Sequence, residues 1–581
     1  MHDLSNRSTL VFSLVADKPF RAYANDQNYK TVKYVSSLMN NMEKALKMGR
    51  MSAAGSLQLL VGVATSTIIM AAGAIILGRL LTTDEYGLYG IVLIPSTMIS
   101  LFRDWGINSA MTRYIASFRV SHKEEEIHDF IVAGLVFEVV SGLALSLLSL
   151  FLAGFIASAV FHRPESASYM AIISISIISG SLLTASQSGF VGFERMELNS
   201  FTLICQAIAK TAVGPVLVFL GYSVLGAVIG YTMSFVAAAI IGLATFYLVL
   251  IRPLRKKRTK NSNTTKTLKT MLKYGVPLSI GSLLGGILAQ AYAFMTIPFT
   301  SNTMYGNYQT AVNFAVLLTF FTTPIATVLF PAFSKLDPQN EHELVKNVFA
   351  SSIKYTSILV IPATMILITL SGPMIGTLYG EKYVYGPFFL TISVLGTLLA
   401  LLGSLSISSF LSGLGETRMI MKQSIITIVV GIPLGLLLIP TLGITGLIIA
   451  NVLAGVPSTL WILHWIWKHY RIRADFQSSA KILAASAIAA STAYVPTIFL
   501  NATNWAKLII GLTIFLTVYI LGAPIIGAVS LTDINNLRTM FSGIGPISKI
   551  INISLNIAEK AARIRTARTV TPEEPDQTQP E

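Results

Sequence analysis

Two ionisable residues lie deep inside stretches otherwise too apolar to hold a charge, and a third closes such a stretch. Lys210 sits about ten residues into an apolar run, about 15 Å of helical rise. Glu138 lies about eight residues into another, at a similar depth from the same side. A charge in hydrocarbon is costly, so such residues face a protein interior or a water-filled path and mark substrate or ion routes. Together they offer a cation for a phosphate and an acid to hold that cation in place. The same two residues could equally form a structural ion pair. Arg103 ends an apolar run, where it either faces a cavity mouth or snorkels to the surface. Arg113 is a weaker candidate of the same kind.

The second half of the chain has no charge inside its apolar runs. It offers Gln290, Tyr292, Asn313 and Asn451, which suit sugar hydroxyls as partners but also suit interhelical ties. Asp84 and Glu85 form an adjacent acid pair of the type a glycosyl transfer needs. However, Thr82-Thr-Asp-Glu85 also reads as a capping box, with Thr82 as cap and Glu85 returning the bond. That local role is the better fit. No G-x-x-x-x-G-K-[ST] or H-E-x-x-H pattern occurs, the seven histidines are scattered, and Cys205 is the only cysteine. These absences leave no cofactor, metal or disulfide chemistry to expect.

The elements that position these residues follow from composition. Hydrophobic residues make up 53% of the 581 positions and charged residues 12%, with a mean hydropathy of +0.67. A soluble chain carries about twice that charged fraction. The apolar surplus falls in runs long enough to cross a bilayer as helices, with none of the alternating segments of a β-barrel. The expected class is all-α, a polytopic membrane protein with fourteen spans. They lie near 54–81, 86–104, 130–156, 168–191, 200–220, 223–250, 274–299, 305–331, 350–371, 384–412, 420–440, 443–466, 479–500 and 506–529. With the N-terminus inside, all but five of the 42 Lys and Arg fall on the cytoplasmic side. Arg79, Arg163, Lys382 and Lys507 are outer exceptions, and Lys210 is mid-span. The net charge of +15 is therefore a topology signal and not a nucleic-acid footprint.

The organisation expected along the chain is a cytoplasmic N-terminal segment (1–52), with helical periodicity over 31–50 suiting either an interfacial helix or one packed on the first lobe. A first six-helix lobe (53–251), a basic linker (252–273) and a second six-helix lobe (274–467) follow. Two additional spans lie within 468–530. Over 531–581, Ile547, Ile550, Ile551, Leu555, Ala558 and Ala562 form an apolar stripe beside Lys and Arg, the pattern of a helix on anionic lipid, before an acidic disordered tail.

The two lobes show an internal repeat. Tyr86-Gly-Leu-Tyr89, Gly192-Phe-Glu-Arg-Met196 and Gly226 recur as Tyr305-Gly-Asn-Tyr308, Gly415-Glu-Thr-Arg-Met419 and Gly446, in the same order and about 220 residues apart. Six spans per copy give the copies the same orientation, as in transporters whose lobes rock about a central site.

Leu77-Gly-Arg-Leu-Leu-Thr-Thr-Asp-Glu-Tyr-Gly-Leu-Tyr89, Phe102-Arg-Asp-Trp-Gly106, Arg113-Tyr-Ile-Ala116 and Leu329-Phe-Pro-Ala-Phe-Ser-Lys335 resemble the polysaccharide and oligosaccharide-lipid flippases. These belong to the multidrug/oligosaccharidyl-lipid/polysaccharide exporter superfamily. The resemblance covers about residues 50–530 and implies V-shaped lobes, alternating access and a cationic first-lobe cavity, which ranks Arg103 and Lys210 first. It implies a polyprenyl-(pyro)phosphate-linked oligosaccharide as cargo, moved from inner to outer leaflet. It also implies a prokaryotic cell membrane, with both termini cytoplasmic, and pathway glycosyltransferases or a polymerase as partners. A drug/cation antiporter of the same superfamily is the alternative, and a polyprenol-dependent glycosyltransferase a more distant one.

Overall fold

The computed structural model describes residues 58–121, 124–254, 264–318, 340–472, 476–541 and 547–569, with Leu329, Phe333 and Ser334. The helix expected over 31–50, the centre of the basic linker, most of the 329–335 motif and the acidic tail lie outside the described residues.

The first half contains α1 (Gln58–Leu80), α2 (Thr83–Ser100), α3 (Ile107–Val120), α4 (Glu124–Phe155), α5 (Ala167–Gly192), α6 (Met196–Leu217) and α7 (Ser223–Phe246). The second half contains α8 (Thr264–Thr296), α9 (Asn302–Ala315), α10 (His342–Thr369), α11 (Ser371–Leu378), α12 (Gly386–Leu395), α13 (Ser404–Gly413), α14 (Thr417–Leu442) and α15 (Ile444–Tyr470). It is followed by α16 (Phe476–Phe499), α17 (Asn504–Ile526), α18 (Leu531–Phe541) and α19 (Ile547–Thr569). Among the described residues, nine helices are long and apolar enough to cross a membrane, or up to eleven if each of two bent pairs is one span. One of the nine, Met196–Ile251, is 56 residues long. Straight, it would run about 84 Å, far beyond the roughly 30 Å of a hydrocarbon core. Gly221, at φ 95°, breaks it into α6 and α7, which pack on each other.

The expected count of fourteen is not reproduced among the described residues. The second expected span is α2, which carries Asp84, Glu85, Thr97 and Ser100 and buries every residue from Tyr86 to Ser96 except Leu93 inside the protein rather than in lipid. The eighth is α9, which is 14 residues long and is followed by a short turn of helix at Val316–Leu318, where this stretch of described residues ends.

The two halves meet through α2 and α9, and the repeated Tyr-Gly motifs make that contact. A Cβ on Gly87 would stand 1.7 Å from the Asn302 carbonyl oxygen, and one on Gly306 would stand 2.2 Å from the Thr83 carbonyl oxygen. Only hydrogen side chains let the backbones approach so closely. Tyr86, Tyr305, Tyr379 and Tyr383 are buried around them in one core that draws on both halves. At the opposite end Gly106, at φ 77°, touches Gly275, whose added Cβ would lie 2.5 Å from the Gly106 carbonyl carbon. The halves therefore touch at both ends of the bundle.

The C-terminal helices correct one expectation. Part of the stripe assigned to lipid, Leu555, Ala558 and Ala562, packs instead into a core with Ile358, Ala523, Ile534 and Leu537. Shape explains it: alanines let α19 lie close against α17. Asp533 of α18 pairs with Lys354 of α10 at 2.5 Å, and its carboxylate also accepts from Ser530. Burial pushes the Asp533 carboxyl up, but the bonds from Lys354 and Ser530 outweigh it and leave the group below its ordinary 3.8. Asp533→Ala should destabilise by about 1.5–3 kcal/mol at neutral pH, since it removes a charge-assisted bond. A depressed carboxyl contributes stability above its unfolded pKa and loses it as pH falls through the folded one. The melting temperatures of wild type and variant, measured in detergent, should thus converge below pH 3.8.

Candidate functional site

The six candidate residues separate into an interior set, two interhelical ties and one surface residue. Arg103 follows α2 and points inward over α5. Its Nη2 donates to Thr184 Oγ1 at 2.9 Å, and a Cβ on Gly180 would lie 2.6 Å from its Nη1. Small residues at 180 and 184 make room for the guanidinium. Its buried Nε has no hydrogen-bond partner among the described residues. Glu138 on α4 is fully buried; its Oε1 accepts from Asn108 Nδ2 at 2.8 Å and its Oε2 has no partner among the described residues. Arg103 is near enough for the two charges to interact, though no ion pair within 4.0 Å joins them.

Glu138 does not hold Lys210, contrary to the pairing expected from depth alone. No ion pair links them among the described residues. Depth along two helices says nothing about azimuth: Glu138 turns toward α3, whereas Lys210 on α6 turns toward α7 and the interface of the halves. The Lys210 ammonium lies 5.2 Å from the Tyr231 ring centroid, a cation–π distance. It lines a cavity of about 70 Å³ with Tyr86, Tyr89, Gln309 and Asn313. A space of that size suits an ion-sized group, well below the roughly 300 Å³ at which small-molecule pockets begin. Tyr231 packs on Phe235 at 5.2 Å, one turn further along α7, and Phe235 borders Gly180 beside Arg103. Two aromatic rings thus connect the two cations.

Asn313 donates to the hydroxyls of Tyr86 and Tyr379 at 3.0 and 3.1 Å, so it ties α9 to α2 while reaching the Lys210 cavity. Gln290 accepts from Thr97 at 3.2 Å and ties α8 to α2. Arg113 is exposed and lies 4.2 Å from the Tyr274 ring centroid, away from the Lys210 cavity. A larger cavity, about 790 Å³, opens between α11 and α16–α17. Its charged lining residues are one Lys507 and one Glu381, which cancel, and neither Arg103 nor Lys210 reaches it.

The acid pair is engaged structurally. Glu85 and Thr82 complete the capping box, and Glu85 also accepts from Ser223 at 2.5 Å. Asp84 accepts from Asn302 and Thr303 across the halves at 3.2 and 3.3 Å. Thr82→Ala should cost about 1 kcal/mol of stability, read as a lower melting temperature, as for other lost N-caps. Asp84→Ala with Glu85→Ala should lower stability while retaining transport; loss of all activity in a well-folded protein would favour a transferase.

The residues missed from sequence form a clasp at the end of the bundle that the charge pattern assigns to the outside. Arg79, at the end of α1, donates to the Thr377 and Leu378 carbonyls that end α11. Lys382, just past α11, donates to the Arg79 and Leu81 carbonyls at the end of α1. Each cation thus satisfies orphaned carbonyls of the other half's helix. Arg163 likewise donates to the Ile297 and Thr300 carbonyls. The available signal was their position as outer exceptions to the charge rule.

The chain and its fold resemble several known proteins. Residues 52–337 match the family described as "Polysaccharide biosynthesis protein". The chain is 23% identical over 290 residues to the "Probable low-salt glycan biosynthesis flippase" of Haloferax volcanii, spanning 49% of this chain and 59% of that protein. An "Uncharacterized membrane protein" of Methanocaldococcus jannaschii is 20% identical over 66% of this chain and 76% of its own length. Among solved structures, lipid II flippase MurJ in its inward closed conformation aligns with a TM-score of 0.64 at 17% identity, covering 80% of this chain and 98% of that one. An inward-facing multidrug resistance MATE family transporter aligns at 0.56 and 15% identity, covering 71% and 98%. At these identities the structural likeness establishes the fold.

Proposed function

We propose, from the match of residues 52–337 to the family described as "Polysaccharide biosynthesis protein", that the chain flips a polyprenyl-(pyro)phosphate-linked oligosaccharide across the cell membrane by alternating access. The observation that carries this reading is the charge of the cavity where the halves meet: Lys210 is the one charged residue in its lining, suited to a phosphate, while Arg103 is an inward cation offset by Glu138 and Asp104. Polar groups of the second half, Gln309 and Asn313 of α9, face Lys210 of the first and offer hydrogen bonds to the head group. The contacts at both ends describe a closed form, so the glycan enters when the halves part, while the lipid tail stays in the bilayer.

Transport toward the outer leaflet fits the positive-inside orientation and needs no nucleotide. One negative charge moved outward gains about 2.3 kcal/mol per 100 mV of inside-negative potential. In proteoliposomes, flipping of a fluorescent glycan-diphosphate-polyprenol should accelerate when an inside-negative potential is imposed. An unchanged rate would remove the electrogenic step. The antiporter reading draws on the likeness to the MATE transporter, which is a likeness of fold. A cavity whose lining carries Lys210 and no acid repels a cationic drug, so the flippase is the better fit.

A further inference from the structure

The last helix, α19, has two faces of different fate. Its Leu555, Ala558 and Ala562 pack on the protein. At about 100° per residue, Lys549, Ile553, Ile557, Lys560 and Ile564 fall within about 80° of arc on the other face. The three isoleucines there are 63%, 43% and 56% exposed, and both lysines are exposed beside them. Neither lysine has an ion-pair or hydrogen-bond partner among the described residues. No acid lies on the stripe; Glu559, next to it, is engaged by Arg538 and Arg563.

The position of this face is fixed from two directions. α19 packs along the end of α17, so closely that a Cβ on Gly527 would lie 1.8 Å from Arg565 Nη1. α17 begins at Asn504, beside Glu381 and the outer clasp, so Gly527 marks where it leaves the opposite side of the bundle. α18 in turn is fastened to α10 by Asp533–Lys354 and by Asn536 to the Tyr355 hydroxyl. The stripe is therefore held at the level where a membrane span ends, on the side of the basic linker.

We infer that Ile553, Ile557 and Ile564 insert into the headgroup layer of an anionic leaflet, with Lys549 and Lys560 at phosphate level. The helix expected to lie on lipid does so with a different set of apolar residues, and through α18 it ties the α10–α17 side of the protein to anionic lipid. Lipid is the occupant because the stripe adjoins a span, carries only positive charge and mixes it with apolar side chains.

The test uses the full chain with Cys205→Ser and Ile557→Cys, spin-labelled at position 557, in nanodiscs of phosphatidylcholine alone or with added phosphatidylglycerol. In anionic discs the ratio of oxygen to water-soluble nickel-chelate accessibility should rise several-fold. Lys549→Glu with Lys560→Glu should return it to the neutral-disc value. A label equally water-accessible in both discs would overturn the inference. So would a label shielded from both reagents, which indicates a protein partner, or insertion that survives the double reversal. The readout is independent of the transported cargo.

Discussion

Replacing Lys210 by Ala should slow flipping of a diphosphate-linked substrate by about 10- to 150-fold. A hydrogen bond between charged groups contributes about 1.5–3 kcal/mol, and each 1.4 kcal/mol is tenfold. Lys210 has no carboxylate partner among the described residues; its neighbours are the Tyr231 ring and the polar lining of a small cavity. Truncation removes charge without exposing a stranded acid, which separates a binding role from a structural one. Lys210→Arg should retain most of the activity, because the cavity responds first to charge. Were Lys210 only a packing element, Ala and Arg would both alter the melting temperature and leave the rate per folded molecule unchanged. Arg103→Ala should act in the same direction, with an added loss of stability because the Thr184 bond goes and Glu138 loses its neighbouring cation.

Gly306→Val should prevent the outer end from closing. The Cβ alone would overlap the Thr83 carbonyl oxygen, and Val adds two methyl groups. Overpacking costs about 1–3 kcal/mol, and a bias of that size shifts a two-state equilibrium by about 5- to 150-fold. With Cys205→Ser and Gln309→Cys as reporter, a membrane-impermeant thiol reagent applied from outside should label the Gly306→Val protein faster than its parent, and flipping should fall. Arg79→Ala with Lys382→Ala removes the carbonyl clasp without adding bulk, so it should raise labelling in a protein that folds normally. Unchanged labelling in both would mean that this contact does not gate the interior.

Much of this arrangement was legible because a bilayer leaves few options. The class followed from apolar runs, since only helices or closed barrels satisfy the backbone in lipid. The capping box at Thr82 and Glu85 was readable because it is local, set by four consecutive residues. The Tyr-Gly repeats at 86 and 305 marked matching positions, and their glycines turn out to be where the halves touch. Azimuth was not legible. Lys210 and Glu138 share a depth but face different neighbours, and nothing in their spacing along separate helices reveals the angle between them. α19 failed for a related reason: its sequence carries two apolar stripes, and only the packed structure decides that the alanine side meets protein. α2 shows the limit of hydropathy, because a helix buried among other helices can carry Thr, Ser and two acids and still belong to the bundle. Arg79, Arg163 and Lys382 looked like topology exceptions and are instead reciprocal ties, each donating to carbonyls of the opposite half.

The account stands on an anionic head group meeting the interior cations, and binding tests it with the fewest intervening steps. Purified wild-type chain and the Arg103→Ala, Lys210→Ala double variant would be titrated with farnesyl diphosphate and with farnesol in the same detergent. The prediction is saturable binding of the diphosphate by the wild type, loss of that binding in a double variant that melts cooperatively, and no comparable binding of the uncharged alcohol. Equal affinity of both proteins for the diphosphate would contradict the assignment of these two residues and the cargo class inferred from them.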